Sequence, residues 1–154
     1  MSDELDTHRS ELRKIYVNSS PRQRLRVALR RIANTEHEPN LLVTRVSAVE
    51  AVARSLLVHH LATSENTALG FYDIFRNTGP TALVEAYLLA KNGVPAAEVI
   101  GAEQWELFGQ AVGYRNLLVH ECTYLGQDKT PALVGACKAV LNHLAVTAGL
   151  QGEG

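Results

Sequence analysis

The segment from residue 41 to residue 62 constrains the fold of this chain most strongly. Its apolar side chains recur at intervals of three and four residues, at Leu42, Val46, Val49, Ala53 and Leu56. This spacing places them on one face of an α-helix, and a helix that is apolar over most of its surface is normally buried by its neighbours. Arg45, Glu50 and Arg54 interrupt the segment, which argues against a membrane span. The sequence therefore predicts a long central helix inside a bundle.

The other long segments also have helical periodicity, and none alternates in the manner of a β-strand. The sequence predicts helices over residues 3–17, 21–33, 41–62, 68–76, 81–91, 104–121 and 131–148, with a loop or short turn around Pro95. Residues 64–66 are interpreted as the end of the central helix. The expected fold class is all-α, a bundle of four or five main helices. We expect one domain over residues 1–154, with basic N-terminal helices up to about residue 33 and a core from about 40 to 150.

The net charge of −1 conceals an uneven distribution of charge along the chain. Residues 1–31 contain eight Lys and Arg against four acids, and no acid lies between Arg13 and Arg31. Such a run can attract a polyanion, although a solvated helix face is the more common reason for it. On the first interpretation, the candidate RNA-binding residues are Arg22, Arg24, Arg26, Arg30 and Arg31.

Several functional classes find no support in the sequence. Two cysteines, Cys122 and Cys137, are too few for a disulfide framework, and the polar start MSDELDTHRSELRK does not read as a secretory signal. A cytoplasmic protein is the simplest expectation. His59 and His60 are adjacent and cannot share a helix face, and no glycine-rich phosphate loop is present. We therefore expect no metal and no cofactor.

Residues 114–121, YRNLLVHE, place three polar side chains in a predicted amphipathic helix. Arg115 offers a planar fork of donors that suits a phosphate, and histidine is the side chain that exchanges protons near neutral pH. With Asn116 to orient one of them, Arg115 and His120 could cleave RNA through its 2′-hydroxyl without a metal. Arg and His near a helix C-terminus also complement the helix dipole, so capping and packing is the competing interpretation.

The spacing of the motif does not place all three side chains together on one helix. Asn116 and His120 are four residues apart and share a face, whereas Arg115 and His120 are separated by about 140°. A distorted helix end or a symmetric dimer would bring them together, and the dimer is the more plausible solution. Gly109 and Gly113, four residues apart on the same helix, allow another backbone to approach, either a core helix or the second copy.

A second polar line lies on the central helix. Ser47, Glu50 and Arg54 occupy positions i, i+3 and i+7, and Glu50 and Arg54 are placed for an ion pair. They would either support the motif arginine from a facing helix or form an internal structural pair.

The sequence Arg115-Asn116, three residues, then His120, late in a strand-free bundle, resembles the HEPN superfamily (higher eukaryotes and prokaryotes nucleotide-binding). The pattern of that family is Arg, four to six residues, then His, frequently with Asn directly after the Arg. The resemblance implies an all-α fold that dimerises through the motif helices. It also implies a metal-independent endoribonuclease of toxin–antitoxin or phage-defence systems, with Arg115, Asn116 and His120 as catalytic residues. RNA, a second copy of the chain and a cognate antitoxin protein would be its partners.

Members of the family differ in ways that bear on this chain. One toxin subgroup carries Tyr two residues after the His, whereas this chain has Cys122 there and Tyr at position 124. Tyr124 is therefore a further candidate site residue beside Glu50 and Arg54. Other members are not nucleases, so the alternative is a non-catalytic helical module that binds a protein partner, a nucleotide or RNA.

Overall fold

The computed structural model describes residues 2–33, 40–122 and 127–150. These residues form eight α-helices and no strand, which confirms the all-α class. The helices are α1 (Ser2–Asn18), α2 (Pro21–Ala33), α3 (Asn40–Leu61), α4 (Glu65–Phe75), α5 (Pro80–Asn92), α6 (Ala96–Ile100), α7 (Ala102–His120) and α8 (Thr130–Thr147), with a 3₁₀ turn over Gln127–Lys129. This is more than the four or five main helices that the sequence predicts.

Helix α3 lies at the centre of the bundle. All five residues of its predicted apolar stripe are buried, as the spacing indicated. Side chains from α2, α5, α6, α7 and α8 complete one continuous core around it, including Phe108 and Leu133. Within the described residues, no helix combines the length and the hydropathy that crossing a bilayer requires.

Helix α1 packs on α4 at the edge of this core. Val17, Val58 and Ala68 form a second, smaller cluster of buried residues there. The Arg13 guanidinium donates to both carboxylate oxygens of Asp73, at 2.8 and 2.7 Å. This bond holds the pKa of Asp73 below its ordinary value. The basic N-terminal segment is thus fastened to the rest of the molecule by an apolar contact and a two-point ion pair.

Most helices begin and end within two residues of the predicted bounds, but the start of α4 does not. Ser20 and Gln23 exchange side-chain and backbone hydrogen bonds and start α2 at Pro21, as expected. The prediction of a break over residues 64–66 and a helix from Ala68 was wrong by three residues. Ser64 is the N-cap of α4, and its hydroxyl accepts from the backbone N–H of Thr67 at 3.2 Å.

Residues 96–100, where the sequence suggested a loop or a short turn, form the five-residue helix α6. The Ala96 backbone N–H at its start donates to Oε2 of Glu85 on α5, at 3.0 Å. Gly101 follows with φ of 100°, a conformation that favours glycine. The chain thereby turns between α5 and α7 and directs the motif helix against α3.

Candidate active site on helix α7

Helix α7 carries the motif without distortion. Its α-helical hydrogen bonding continues past the motif, since the Glu121 N–H still donates to the Leu117 carbonyl at 2.9 Å. Cys122 then takes a left-handed conformation with φ of 51°, which ends the helix. A distorted helix end is therefore not what brings Arg115 towards His120, and the two side chains stay on different sides of α7.

Arg115 points towards the central helix and is held there by two groups. Its Nη2 lies 3.6 Å from Oε1 of Glu50 on α3, and its Nε donates to Oδ1 of Asn116 at 3.0 Å. The Arg115 side chain is only 17% exposed. Two of its three guanidinium nitrogens therefore have partners, and Glu50 and Asn116 together orient this group.

Glu50 also contacts Arg54, which anchors the connection between α4 and α5. Oε2 of Glu50 lies 3.5 Å from Nη2 of Arg54, so the ion pair predicted from the spacing is confirmed. Arg54 in turn donates to the carbonyls of Phe75 and Thr78, both at 3.1 Å. The carboxylate thus joins an arginine of the motif helix to one that satisfies carbonyls at the end of α4. Glu50 thus contacts the motif arginine and also forms an internal pair with Arg54. The two interpretations left open above therefore apply to the same cluster.

Tyr16 of α1 extends the same region and was missed by sequence reasoning. Its hydroxyl donates to the Ala51 carbonyl on α3, its ring stacks against the Arg24 guanidinium at 4.4 Å, and Arg54 lies beside it. Burial raises the pKa of Tyr16, against the opposing effect of Arg54 and Arg24. No local pattern signals this contact, because Tyr16 and Ala51 are 35 positions apart in the chain.

The opposite side of α7 is open to solvent. Asn116 and His120 are exposed. Gly109 and Gly113 lie on the same face, and a Cβ at either position would meet nothing within 4 Å. The suggestion that these glycines admit a core helix of the same chain was therefore wrong. Tyr124 lies outside the described residues.

The five predicted RNA-binding arginines do not form one surface. Arg22, Arg26 and Arg30 follow one side of α2, and Arg22 lies in a cleft at the end of the bundle. Arg24 and Arg31 lie on another side, lining a small cleft of about 70 Å³ between α2 and α3. The sequence run from Arg22 to Arg31 is thus divided by the helix between two parts of the surface.

The cluster around Glu50 has two arginines for one carboxylate. Arg54 and Arg115 flank Glu50, and Arg115 also contacts the amide oxygen of the exposed Asn116. Within the described part of the chain, no group of three or more His, Cys, Asp or Glu side chains could hold a metal ion. Comparisons with protein-family models, with curated proteins and with solved structures found no significant match.

Proposed function

We propose that this protein is a HEPN-like, metal-independent endoribonuclease that cleaves single-stranded RNA. The observation that carries the proposal is the arrangement around Arg115. Its guanidinium is held by Glu50 and Asn116 on a helix whose exposed face presents Asn116 and His120. An oriented arginine and an accessible histidine are the minimum that 2′-hydroxyl cleavage of RNA requires.

In this mechanism Arg115 neutralises the charge that develops on the scissile phosphate. The ribose 2′-oxygen attacks phosphorus and loses its proton, while the 5′-oxygen of the next nucleotide leaves and gains one. His120 takes part in this proton transfer, because histidine can accept and donate protons near neutral pH. The products are a 2′,3′-cyclic phosphate and a 5′-hydroxyl. DNA lacks the attacking group and would not be cut.

The position of His120 supports a site shared between two copies of the chain. Arg115 faces α3 and His120 faces solvent, so a single α7 does not present both to one phosphate. Near its C-terminal end α7 also exposes two apolar side chains, Leu117 and Val119, which are 41% and 52% accessible. A homodimer that packs on this face would bring His120 of one copy towards Asn116 of the other, whose amide oxygen accepts from Arg115.

A protein of this type would act in the cytoplasm as a toxin or in defence against phage, restrained by a cognate antitoxin protein. We expect its expression to arrest growth of the host cell, because RNA cleavage without metal control is harmful at low enzyme levels. The His120→Ala form should not arrest growth. Equal arrest by both forms, at equal protein levels, would argue against a toxic nuclease.

The decisive experiment incubates the purified protein with end-labelled single-stranded RNA in EDTA. We expect cleavage to fall by about a hundredfold or more in Arg115→Ala and in His120→Ala, since each removes a group that acts in the transition state. His8→Ala, an exposed histidine on α1, is the matched control and should cut as the unaltered protein does. DNA of the same sequence should remain intact. RNA cut equally by all four proteins would refute the proposal.

The alternative is a non-catalytic helical module that binds a protein partner, a nucleotide or RNA. One observation favours it: within one chain Arg115 and His120 do not contact each other, and Glu50 gives Arg115 a structural role. This alternative expects RNA, nucleotide or partner binding without any cleavage in EDTA. If it is correct, Arg115→Ala should weaken that binding or destabilise the fold, and neither the variant nor the unaltered protein should cleave RNA.

A further inference from the structure

An open cleft of about 640 Å³ lies between α1 and α4. The middle of α1 forms one wall, and the last turn of α4 with the two residues after it forms the other. A cleft of this size falls within the range that ligand sites occupy. The residues that matter for its chemistry are Arg9, Arg13, Tyr72, Asp73, Arg76 and Asn77.

The walls of this cleft carry more arginine than carboxylate. Arg13 and Asp73 form the two-point ion pair that fastens α1, and Arg13 and, more weakly, Arg76 lower the pKa of that carboxyl. Arg9 lies 3.7 Å from Asp6, which is outside the cleft, and both side chains are 70% exposed, so this contact is weak. Even with Asp6 included, the three arginines exceed the two carboxylates by one positive charge. The cleft therefore suits an anion.

The end of α4 connects this cleft to the Glu50 cluster. Arg54 donates to the two backbone carbonyls that flank Arg76 and Asn77 in the chain. These bonds also offset the partial negative charge of the helix C-terminus, which would otherwise oppose an anion. Glu50 contacts both Arg54 and Arg115. One carboxylate therefore separates the arginine that fixes this wall of the cleft from the candidate catalytic arginine.

Tyr72 supplies a second observation, independent of charge. Its half-buried side chain lines the cleft, and its ring contacts the ring of Tyr16 at a centroid distance of 5.2 Å. Tyr16 in turn lies beside Arg54. A ring that is held by another ring and lines a basic cleft can stack on a base. Proteins that bind single-stranded nucleic acids without reading their sequence combine aromatic side chains and basic groups in this way.

We propose that this cleft binds the single-stranded RNA substrate a few nucleotides away from the bond that is cut, an inference that rests on the proposed function. Arg9 and Arg76 hold backbone phosphates, because arginine gives charge-assisted hydrogen bonds to phosphate oxygens. One base stacks on Tyr72. Arg13 keeps α1 on α4 through Asp73 and does not bind RNA. The RNA thus follows α1 and α4, and not the arginines of α2.

The binding test uses a fluorescent 2′-O-methyl RNA of about twelve nucleotides, a length within the site sizes of single-strand-binding proteins. It lacks the attacking hydroxyl, so binding is measured separately from cleavage. We expect Arg9→Gln and Arg76→Gln each to weaken binding by about fivefold and to reduce the dependence of log K on log salt by about 0.7, the value for one phosphate contact. Lys91→Gln, an exposed cation on α5, is the matched control and should change neither.

The stacking contact is tested on the same RNA. Tyr72→Leu should weaken binding by about fivefold or more, because it removes the ring on which a base stacks. Tyr72→Phe keeps the ring and should bind as the unaltered protein does. Urea unfolding of both variants establishes that they are folded under the assay conditions. Equal binding by Tyr72→Leu and Tyr72→Phe would show that no base stacks on this residue.

Cleavage kinetics separate substrate binding from catalysis. With the long RNA, Arg76→Gln should raise KM and leave kcat unchanged, because the contact is the same in the substrate and in the transition state. A dinucleotide is too short to reach the cleft, so Arg76→Gln should cut it at the rate of the unaltered protein. A fall in kcat on the dinucleotide would place Arg76 at the reacting phosphate and contradict the proposal.

The outcomes distinguish this proposal from the ribonuclease. If Arg9→Gln and Arg76→Gln weaken binding of the 2′-O-methyl RNA but the unaltered protein cuts no RNA, the cleft is supported as an RNA site and the ribonuclease is refuted. If RNA is cut and these variants bind as the unaltered protein does, the cleft is refuted and the ribonuclease stands. An unaltered protein that does not bind this RNA also overturns the cleft.

Discussion

At the scale of single residues, Glu50 has the most consequential position in the molecule. It lies between two arginines, one on its own helix and one that is 65 positions away in the chain. The intrahelical pair with Arg54 follows from a spacing of four and was predictable. The contact with Arg115 depends on how α7 packs against α3, which no local pattern encodes. The same carboxylate therefore connects the fold to the candidate site.

We expect Glu50→Gln to reduce RNA cleavage by about tenfold, because the Arg115 guanidinium loses the charge that holds it in place. The unfolding free energy should fall by only about 1 kcal/mol, since the ion pairs are partly exposed. Cleavage rates and denaturant unfolding, measured on the same preparation, distinguish positioning from loss of fold. Glu11→Gln, an exposed acid on α1, is the control. Undiminished cleavage by Glu50→Gln would show that Arg115 does not need this carboxylate.

The two cysteines differ in reactivity because of burial. Cys137 is 1% exposed, and burial raises the pKa of its thiol to about 12, while Arg45 has a smaller opposing effect. Cys122 is exposed. Since the thiolate is the reactive form, we expect one fast and one slow thiol towards an aromatic disulfide reagent at pH 8. Cys122→Ser should abolish the fast reaction. Two equally fast thiols would mean that the core opens readily.

The raised pKa of the Cys137 thiol also predicts how the unfolding free energy depends on alkaline pH. The thiol of Cys137 ionises near 9.0 in the unfolded chain but only near 12 in the fold, so between these values the unfolded state binds fewer protons. The unfolding free energy should therefore fall as the pH rises above about 9, by up to about 1.4 kcal/mol per unit from this group. Urea unfolding from pH 8 to pH 11 measures the slope. Cys137→Ala should show a shallower slope than Cys122→Ser.

At the scale of helices, the sequence predicts where a helix lies better than it predicts the residue at which the helix begins. The stripe on α3 and the Ser20–Pro21 start of α2 follow from periodicity and capping chemistry, which are local. Ser64 was interpreted as the end of α3, whereas it is the N-cap of α4. A serine that follows one helix and a serine that precedes the next look alike in sequence. Helix α6 has five residues, too few for a period to appear. Tyr16 and Glu50 reach their partners only through tertiary packing.

The N-cap of α4 can be tested by a single substitution. Ser64→Ala removes the hydroxyl that accepts from the Thr67 N–H, and we expect it to lower the unfolding free energy by about 1 kcal/mol. Denaturant unfolding with an unchanged slope measures this loss. The neighbouring substitution Thr63→Ala is the control, because only the backbone of Thr63 takes part in a hydrogen bond there. Equal stability of both variants would indicate that α4 is held by packing on α1 and α3 alone.

At the scale of the whole molecule, the candidate site is incomplete in one chain. Arg115 is directed inward by Glu50, while His120 and Asn116 share an exposed face with Gly109 and Gly113. A sequence can indicate that a motif spans two faces of a helix, but it cannot show which face the fold covers. The structure covers the side with Arg115 and leaves the side with His120 open. Dimerisation through the open face is therefore the prediction on which a shared active site depends.

Gly113→Leu tests that prediction, because the substitution affects the dimer and the single chain in opposite ways. A Cβ at this position meets no described residue within 4 Å, and replacing a helical glycine removes a cost of up to about 1 kcal/mol. The fold should be no less stable, whereas a second backbone could no longer approach α7 closely. Analytical ultracentrifugation should then show a dimer for the unaltered protein and a monomer for Gly113→Leu, with cleavage lost in the monomer.

Gly70→Leu is the matched control for this experiment. Gly70 is also helical and exposed, and a Cβ there also meets nothing, but it lies on α4 away from the motif face. Its variant should stay dimeric and active. If Gly113→Leu remains a dimer, the copies associate through another surface. If the unaltered protein is a monomer that cleaves RNA at low concentration, one chain must hold a complete site, and Arg115 must then leave Glu50 to reach the phosphate beside His120.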